Sequence, residues 1–411
     1  MVAGQTYMNP FAIYFPQFYP TPTNNKAWGH GFTDWSLVAN ANLRDRWVRR
    51  APMRGFYDGS SSEVHQAQID EMKKFSLGGF AIYHYWFYTH QELDAFESTI
   101  LSRRPGLPWF MIWATEGWSK RWLGDSASIL HLTDSPSSTD IANHCDYLEK
   151  CFNSPDYFRI DGRPLFVFYN LSHFANPEVV LNGYRTALRG RGHEVFIGHF
   201  VKNPSDVQYS SLVDATYFFE PRLFFGMQRI GRSTTAKRVH DGLKRLLSAS
   251  LVSRLMLLMD KVQQRGVTYD ANLFILYLQS EERESIRRNI HCPVQDVLSP
   301  GWNNTPRYSD RFTAMGDIDA QVFAQLLLKS SDRCKQLPPL VNAWNEWSEG
   351  AAIEPCAYFE SRYLNAIADV FAQACNSNNL HMSHQQLLSG DRDPALNLNV
   401  ANGLHHVGVQ P

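Results

Sequence analysis

Two glutamates, Glu346 and Glu349, stand three residues apart in the stretch L-V-N-A-W-N-E-W-S-E-G-A-A-I-E-P, Leu340 to Pro355. Trp344, Asn345 and Trp347 crowd the same turn. Making or breaking a glycosidic bond takes two carboxyl groups, one to deliver a proton and one to accept a proton or steady charge. It also takes flat aromatic faces for sugar rings and amides for hydroxyls. A glutamate after a strand is ordinarily a solvated surface charge, but that does not explain two tryptophans and an asparagine in the same loop. Two close carboxyls in a tryptophan-lined site have their pKa values driven apart, one staying protonated near neutrality and the other ionised. The sequence leaves open which is which.

Other candidates for the same cleft stand at the ends of apolar runs. Trp113 and Glu116 belong to a block with Trp118 and Trp122, and His84, Tyr85 and Trp86 end another run. Tyr14 and Trp35 flank the start of a long aromatic loop, and Trp302 and Asn303 follow a later run. With Trp344 and Asn345 these form the expected substrate-binding set. His173 and His199 have no partner in sequence and read as structural. No His, Cys, Asp or Glu cluster has metal-ligand spacing, so neither a metal nor a cofactor is expected. Asp317-Ile318-Asp319 matches a diphosphate-holding D-x-D by letters, but it opens a predicted helix away from any strand end.

The elements that must position these residues repeat along the chain. Apolar runs at Pro10–Pro16, Phe80–Phe87, Pro108–Thr115, Pro164–Asn170, Val195–Val201, Ala215–Glu220, Gln295–Gly301 and Pro339–Trp344 alternate with helical segments. Runs apolar on both faces suit buried parallel strands, and strand–helix alternation implies right-handed βαβ units. About eight such units close into a barrel whose chemistry lies at the C-terminal ends of the strands. The expected fold is therefore α/β, a (β/α)8 TIM-like barrel over residues 1–375, with long loops at its C-terminal face. A helical insertion is expected at about 222–291, and a polar, irregular tail over 376–411. No G-x-G-x-x-G opens a helix, so nothing supports a dinucleotide site.

Composition narrows the partners. The 411-residue chain has a formal net charge of −1, which gives no global field for nucleic acid. Eleven tryptophans and eighteen tyrosines suit a sugar-binding cleft. The six cysteines form no C-x-x-C pair and read as reduced thiols. No signal segment and no membrane-length apolar run is present, so the expected location is cytoplasmic. Ten basic residues against two acidic ones between Arg222 and Arg265, interleaved with leucines, mark a segment that can rest on an anionic membrane surface, which would place the protein at the inner membrane's periphery. The rival for that segment is a solvated lid or subunit contact.

The motifs I-Y-F-P-Q-F-Y-P, W-G-H-G-F-T-D-W, G-F-A-I-Y-H-Y-W-F, P-G-W-N-N-T-P-R and N-A-W-N-E-W-S-E-G, in order from about Pro10 to Leu364, resemble the WbsX-type glycosyltransferases of O-antigen and other surface-polysaccharide gene clusters. That family is similar to the endo-α-mannosidases of glycoside hydrolase family 99, which are (β/α) barrels. The resemblance implies that Glu346 acts on the sugar 2-hydroxyl and that Glu349 is the general acid/base. It further implies that the 2-hydroxyl itself attacks the anomeric carbon, with retention and without a metal. The chain departs from the related pattern at Asn303, Thr115 and Asp34, where Asp, Asn and Glu are usual. The implied partners are an oligosaccharide or lipid-linked glycan, with a nucleotide sugar as a further candidate. The expected function is glycosyl transfer in surface-polysaccharide biosynthesis. The alternatives are a retaining endo-acting hydrolase or transglycosylase and an inactive carbohydrate-binding barrel.

Overall fold

Phe11–Tyr14, the first strand (β1), is F-A-I-Y, buried on both faces. Seven more follow: Gly79–Trp86 (β2), Trp109–Trp113 (β3), Arg163–Phe168 (β4), Phe196–Val201 (β5), Ala215–Phe219 (β6), Val294–Leu298 (β7) and Leu340–Val341 (β8). Each pairs in parallel with the next. The last pairs in parallel with the first, Phe11 opposite Leu340 and Ala12 opposite Val341, so the sheet closes and leaves no open edge. This computed structural model describes residues 8–41, 51–119, 128–229 and 266–389. Every apolar run singled out in the sequence overlaps one of the eight strands, and the fold is the expected TIM-like barrel.

Helices fill the crossovers: Ser62–Lys74 (α1), Ala95–Arg103 (α2), Ser138–Phe152 (α3), Pro177–Arg189 (α4), Ala271–Leu278 (α5), Glu281–Arg288 (α6), Ala320–Arg333 (α7) and Arg362–Ser389 (α8). Their starts follow from local chemistry. Ser137 and Asp140 form a capping box on α3, and Asn176 caps α4 with Pro177 as its first residue, each satisfying backbone donors a helix leaves open. Asp319 accepts from the amides of Gln321 (3.0 Å) and Val322 (3.2 Å) at the start of α7. The second aspartate of the D-x-D lookalike is thus a helix cap.

Two expectations about the chain's organisation meet the structure here. The stretch after Asn376, read as irregular, continues α8 as far as Ser389. Of the insertion, residues 230–265 lie outside the described residues, and the basic, leucine-rich membrane segment falls almost wholly there. Its described C-terminal part includes α6, which belongs to the barrel's helical layer. Arg283 on α6 is buried and bonds Glu220 (3.1 Å), just after β6, and Asp296 (2.6 Å), in the middle of β7.

Candidate active site

The loop after β8 stays stitched to its neighbours well beyond the strand. The Asn342 amide donates to Leu298 (2.8 Å) and the Trp344 amide to Ile13 (2.7 Å). The Asn345 side chain then substitutes for a strand, its Oδ1 accepting from the Phe15 amide (2.8 Å) and its Nδ2 donating to the Phe15 carbonyl (2.9 Å). A single 3-10 turn, Trp347–Glu349, follows and closes at Gly350 with φ 65°, a left-handed geometry that glycine adopts without a Cβ clash. Glu354 fixes the turn from behind, accepting from Gln68 Nε2 (2.8 Å), the Tyr57 hydroxyl (2.8 Å) and Trp347 Nε1 (3.0 Å). This frame holds Glu346 and Glu349 over the barrel mouth.

Arg307 gathers the charges. It lies on the short helix Thr305–Tyr308, which begins with Asn303 Oδ1 accepting from the Thr305 amide (3.0 Å) and hydroxyl (2.6 Å). Its guanidinium reaches Glu349 (2.8 Å), Glu346 (2.9 Å) and Asp34 (3.1 Å). The Ser348 hydroxyl donates to Asp34 and to Glu346 (3.2 Å). Arg222 Nη2 approaches Glu349 at 3.2 Å. Three nearly buried carboxyls thus share two guanidinium groups, the arrangement that perturbs proton affinities at reactive sites.

Burial pushes the Glu346 carboxyl up to about 8, with Glu349 and Asp34 adding repulsion against the opposing pull of Arg307. Burial likewise raises Asp34, against Arg307 and the Ser348 hydrogen bond. Once ionised, Glu346 therefore takes up a proton more readily than an exposed glutamate does. Burial also raises the hydroxyls of Tyr83, Tyr85 and Tyr169, so these remain hydrogen-bond donors.

The carboxyls open onto a cleft of about 440 Å³ whose aromatic walls include Trp28, Tyr83, Tyr85, Trp118 and Tyr169. Asn24 and Asn342 line it too. Among the described residues, both polar side-chain atoms of Asn24 and Nδ2 of Asn342 are buried with no hydrogen-bond partner. Buried polar groups are rarely left so, and sugar hydroxyls would satisfy them.

Of the residues singled out in sequence, Glu346, Glu349, Tyr85, Glu116 and Trp118 line this cleft. Glu116 pairs with Lys202 at 3.1 Å. Trp302 is buried beside an adjoining recess, 5.4 Å from the Arg222 guanidinium. The others lie elsewhere, mostly because alternate residues of a strand face opposite ways. On β2, Tyr83 and Tyr85 face the cleft, while His84 bonds Glu97 (3.0 Å) and His144 (3.0 Å) and Trp86 stacks on His144. Trp113 is fully buried among His144, Phe168 and Tyr184, and its next neighbour Ala114 lines the cleft. Tyr14 points to Gln68 and stacks on Phe96 at 3.7 Å, leaving the cleft to Phe15. Trp344 packs on Phe80, and Trp35 donates to the Tyr57 carbonyl (2.7 Å) against Phe18. Asn345 and Asn303 are scaffold, as their bonds above indicate. Trp122 lies outside the described residues. Sequence reasoning missed Arg307, Arg222, Asn24, Asn342 and Glu354, of which Arg307 carried a signal: a Pro-led turn directly after a strand end, opposite a carboxylate pair.

A closed eight-stranded barrel that gathers perturbed carboxyls beyond the C-terminal ends of its strands has the layout in which TIM-barrel active sites are built. The chain is a member of the glycosyltransferase WbsX family, whose model matches residues 10–367. It is 26% identical over 383 residues to the uncharacterised protein WxcX of Xanthomonas campestris pv. campestris strain ATCC 33913, a match covering 88% of this chain and 49% of that protein. The strain B100 counterpart is 25% identical with the same coverage. The chain thus spans about half the length of these relatives. Among solved structures it is similar to a glycoside hydrolase-like protein (TM-score 0.54, 15% identity, 90% of this chain and 95% of that one). It is also similar to the GH99 endo-alpha-mannosidase of Bacteroides thetaiotaomicron (TM-score 0.51, 13% identity, 90% and 98%). These likenesses concern the fold.

Proposed function

We propose that this chain transfers a glycosyl group during synthesis of a bacterial surface polysaccharide, using Glu346 and Glu349 as its proton-handling pair. The observation that carries this reading is Arg307, which holds both glutamates and Asp34 within 3.1 Å at the floor of an aromatic cleft. In the reactive form the pair's proton sits on Glu349, and ionised Glu346 takes the proton of the sugar 2-hydroxyl as that oxygen closes on the anomeric carbon. Glu349 gives its proton to the departing glycosidic oxygen, and the C1–O bond breaks. In the second half an acceptor hydroxyl attacks C1 and reopens the three-membered ring. Glu349 then takes the acceptor's proton, and Glu346 returns its proton to O2. Two inversions leave the anomeric configuration retained. A carboxylate whose conjugate acid lies near 8 is a strong base for its type, which suits the abstraction step.

The same steps with water as acceptor give hydrolysis. The likeness in fold to glycoside hydrolases, one of them an endo-alpha-mannosidase by its title, supports that second reading. Product analysis with a lipid-linked oligosaccharide, with and without nucleotide sugar, separates the two. Growth of the glycan only with nucleotide sugar is the expected result. Shortening assigns a hydrolase, and binding without turnover assigns a carbohydrate-binding barrel.

A further inference from the structure

Beside the cleft, and sharing Glu116, Arg222 and Tyr308 with it, lies a second recess of about 450 Å³. Its charge is one-sided. Lys202, Arg222, Arg229 and Arg311 line it, against the single carboxylate of Glu116. Lys202 is 7% exposed, bonds Glu116 at 3.1 Å and lies 3.9 Å from the centre of the Tyr169 ring. Glu116 therefore accounts for one cation. Arg222 turns one nitrogen toward Glu349 at 3.2 Å, while its buried Nε has no partner among the described residues. Among those residues, neither Arg229 nor Arg311 has a carboxylate partner.

We propose that this recess is a phosphoryl-binding subsite that holds a phosphate or diphosphate ester carried by the sugar bound in the neighbouring cleft. Guanidinium groups in excess of carboxylates suit a multiply charged oxyanion, since the planar fork matches phosphate oxygens bidentately. A lone sugar carboxylate needs one such fork. The link to chemistry is Arg222, which borders both compartments and touches Glu349. A phosphoryl group in the recess therefore lies one side chain away from the carboxyl that handles the departing oxygen. The inference rests on the reading of the cleft as the glycosyl site. It names the class of sugar derivative that fills both compartments, one whose sugar is phosphorylated or joined to a diphosphate.

Calorimetric titration of the full chain with inorganic pyrophosphate tests this. Single-site binding is expected, and Arg229→Ala and Arg311→Ala, both at exposed positions, should each weaken it roughly tenfold, the usual loss for one charge-assisted hydrogen bond. Glu349→Gln should leave pyrophosphate binding intact while abolishing turnover. Loss of turnover with pyrophosphate binding indifferent to both arginines would overturn the subsite alone. Retained turnover in Glu349→Gln would instead overturn the reading of the cleft. UDP and farnesyl diphosphate distinguish the source: tighter binding of either than of pyrophosphate supports the proposal and names a nucleoside or a lipid carrier. Absence of pyrophosphate binding, or binding of galacturonate in its place, overturns it.

Discussion

Replacing Arg307 by methionine removes the only group that, among the described residues, bonds all three site carboxyls. The side chain is 12% exposed, its partners are 0–6% exposed, and the contacts run from 2.8 to 3.1 Å. Taking away one partner of a buried ion pair costs roughly 3–5 kcal/mol, because a charge is left without compensation. Here three carboxyls lose a common partner, so the upper end of that range is expected at high pH. The pH dependence follows from the direction of the shifts. Burial already raises Asp34 and Glu346 while Arg307 pulls them down, so removing Arg307 raises both further. A carboxyl raised in the folded state stabilises the fold as the neutral acid. That contribution is complete below the unfolded value and is lost as pH rises through the folded one. The deficit of Arg307→Met relative to wild type should therefore be large at about pH 8 to 9 and shrink toward about pH 5. Urea unfolding at both pH values measures it. A deficit under about 1 kcal/mol at high pH, typical of an exposed pair, or one that fails to narrow in acid, would refute the reasoning.

Three further outcomes follow. If Glu346 is the base, kcat/KM should rise with pH and level off above about 8, the value to which burial pushes it; a falling limb there would make Glu346 the acid and exchange the two roles. Glu354→Leu leaves the donors of Gln68, Tyr57 and Trp347 unpaired, which should cost roughly 3–5 kcal/mol and lower kcat by loosening the Trp347–Glu349 turn. Wild-type stability in that variant would show that the hub is dispensable. Trp113→Ala should destabilise the fold by roughly 3–5 kcal/mol without a specific rise in KM, whereas Tyr308→Ala, at an exposed position lining both compartments, should weaken ligand binding at unchanged melting temperature. The reverse pattern in thermal melts and saturation curves would return Trp113 to the cleft.

The barrel was legible because each of its strands is buried on both faces. A run such as F-A-I-Y at Phe11–Tyr14 or W-F-M-I-W at Trp109–Trp113 has no amphipathic alternation to confuse with a helix. Strand ends could be read to within about three residues, and with them the location of the candidate chemistry. Which way a side chain points at such an end was not legible. In a strand apolar on both faces, polarity no longer reveals the phase, so Tyr85 and His84 look equivalent in sequence although one faces the cleft and the other Glu97. The pairing of Glu346 with Arg307, and of Glu349 with Arg222, joins residues 39 and 127 positions apart. Only barrel closure brings those loops together. Asn303 and Thr115 make the same point. Thr115 bonds the Asn170 amide (2.7 Å) and carbonyl (2.9 Å), so these two of the three departures from the related pattern position loops, while the third, Asp34, sits on Arg307.

The central claim is that Glu346 and Glu349 together carry out the chemistry. Turnover of a lipid-linked glycan by the wild type, Glu346→Gln and Glu349→Gln, with the melting temperature of each variant recorded alongside, tests it most directly. Each amide keeps the shape of its carboxyl but can neither take nor give the required proton. Both variants should lose turnover by at least about 10²-fold while remaining folded, and Glu346→Gln should gain stability at alkaline pH, where the wild-type carboxyl is forced to ionise in a buried site. Wild-type turnover in both folded variants would remove this pair from the reaction.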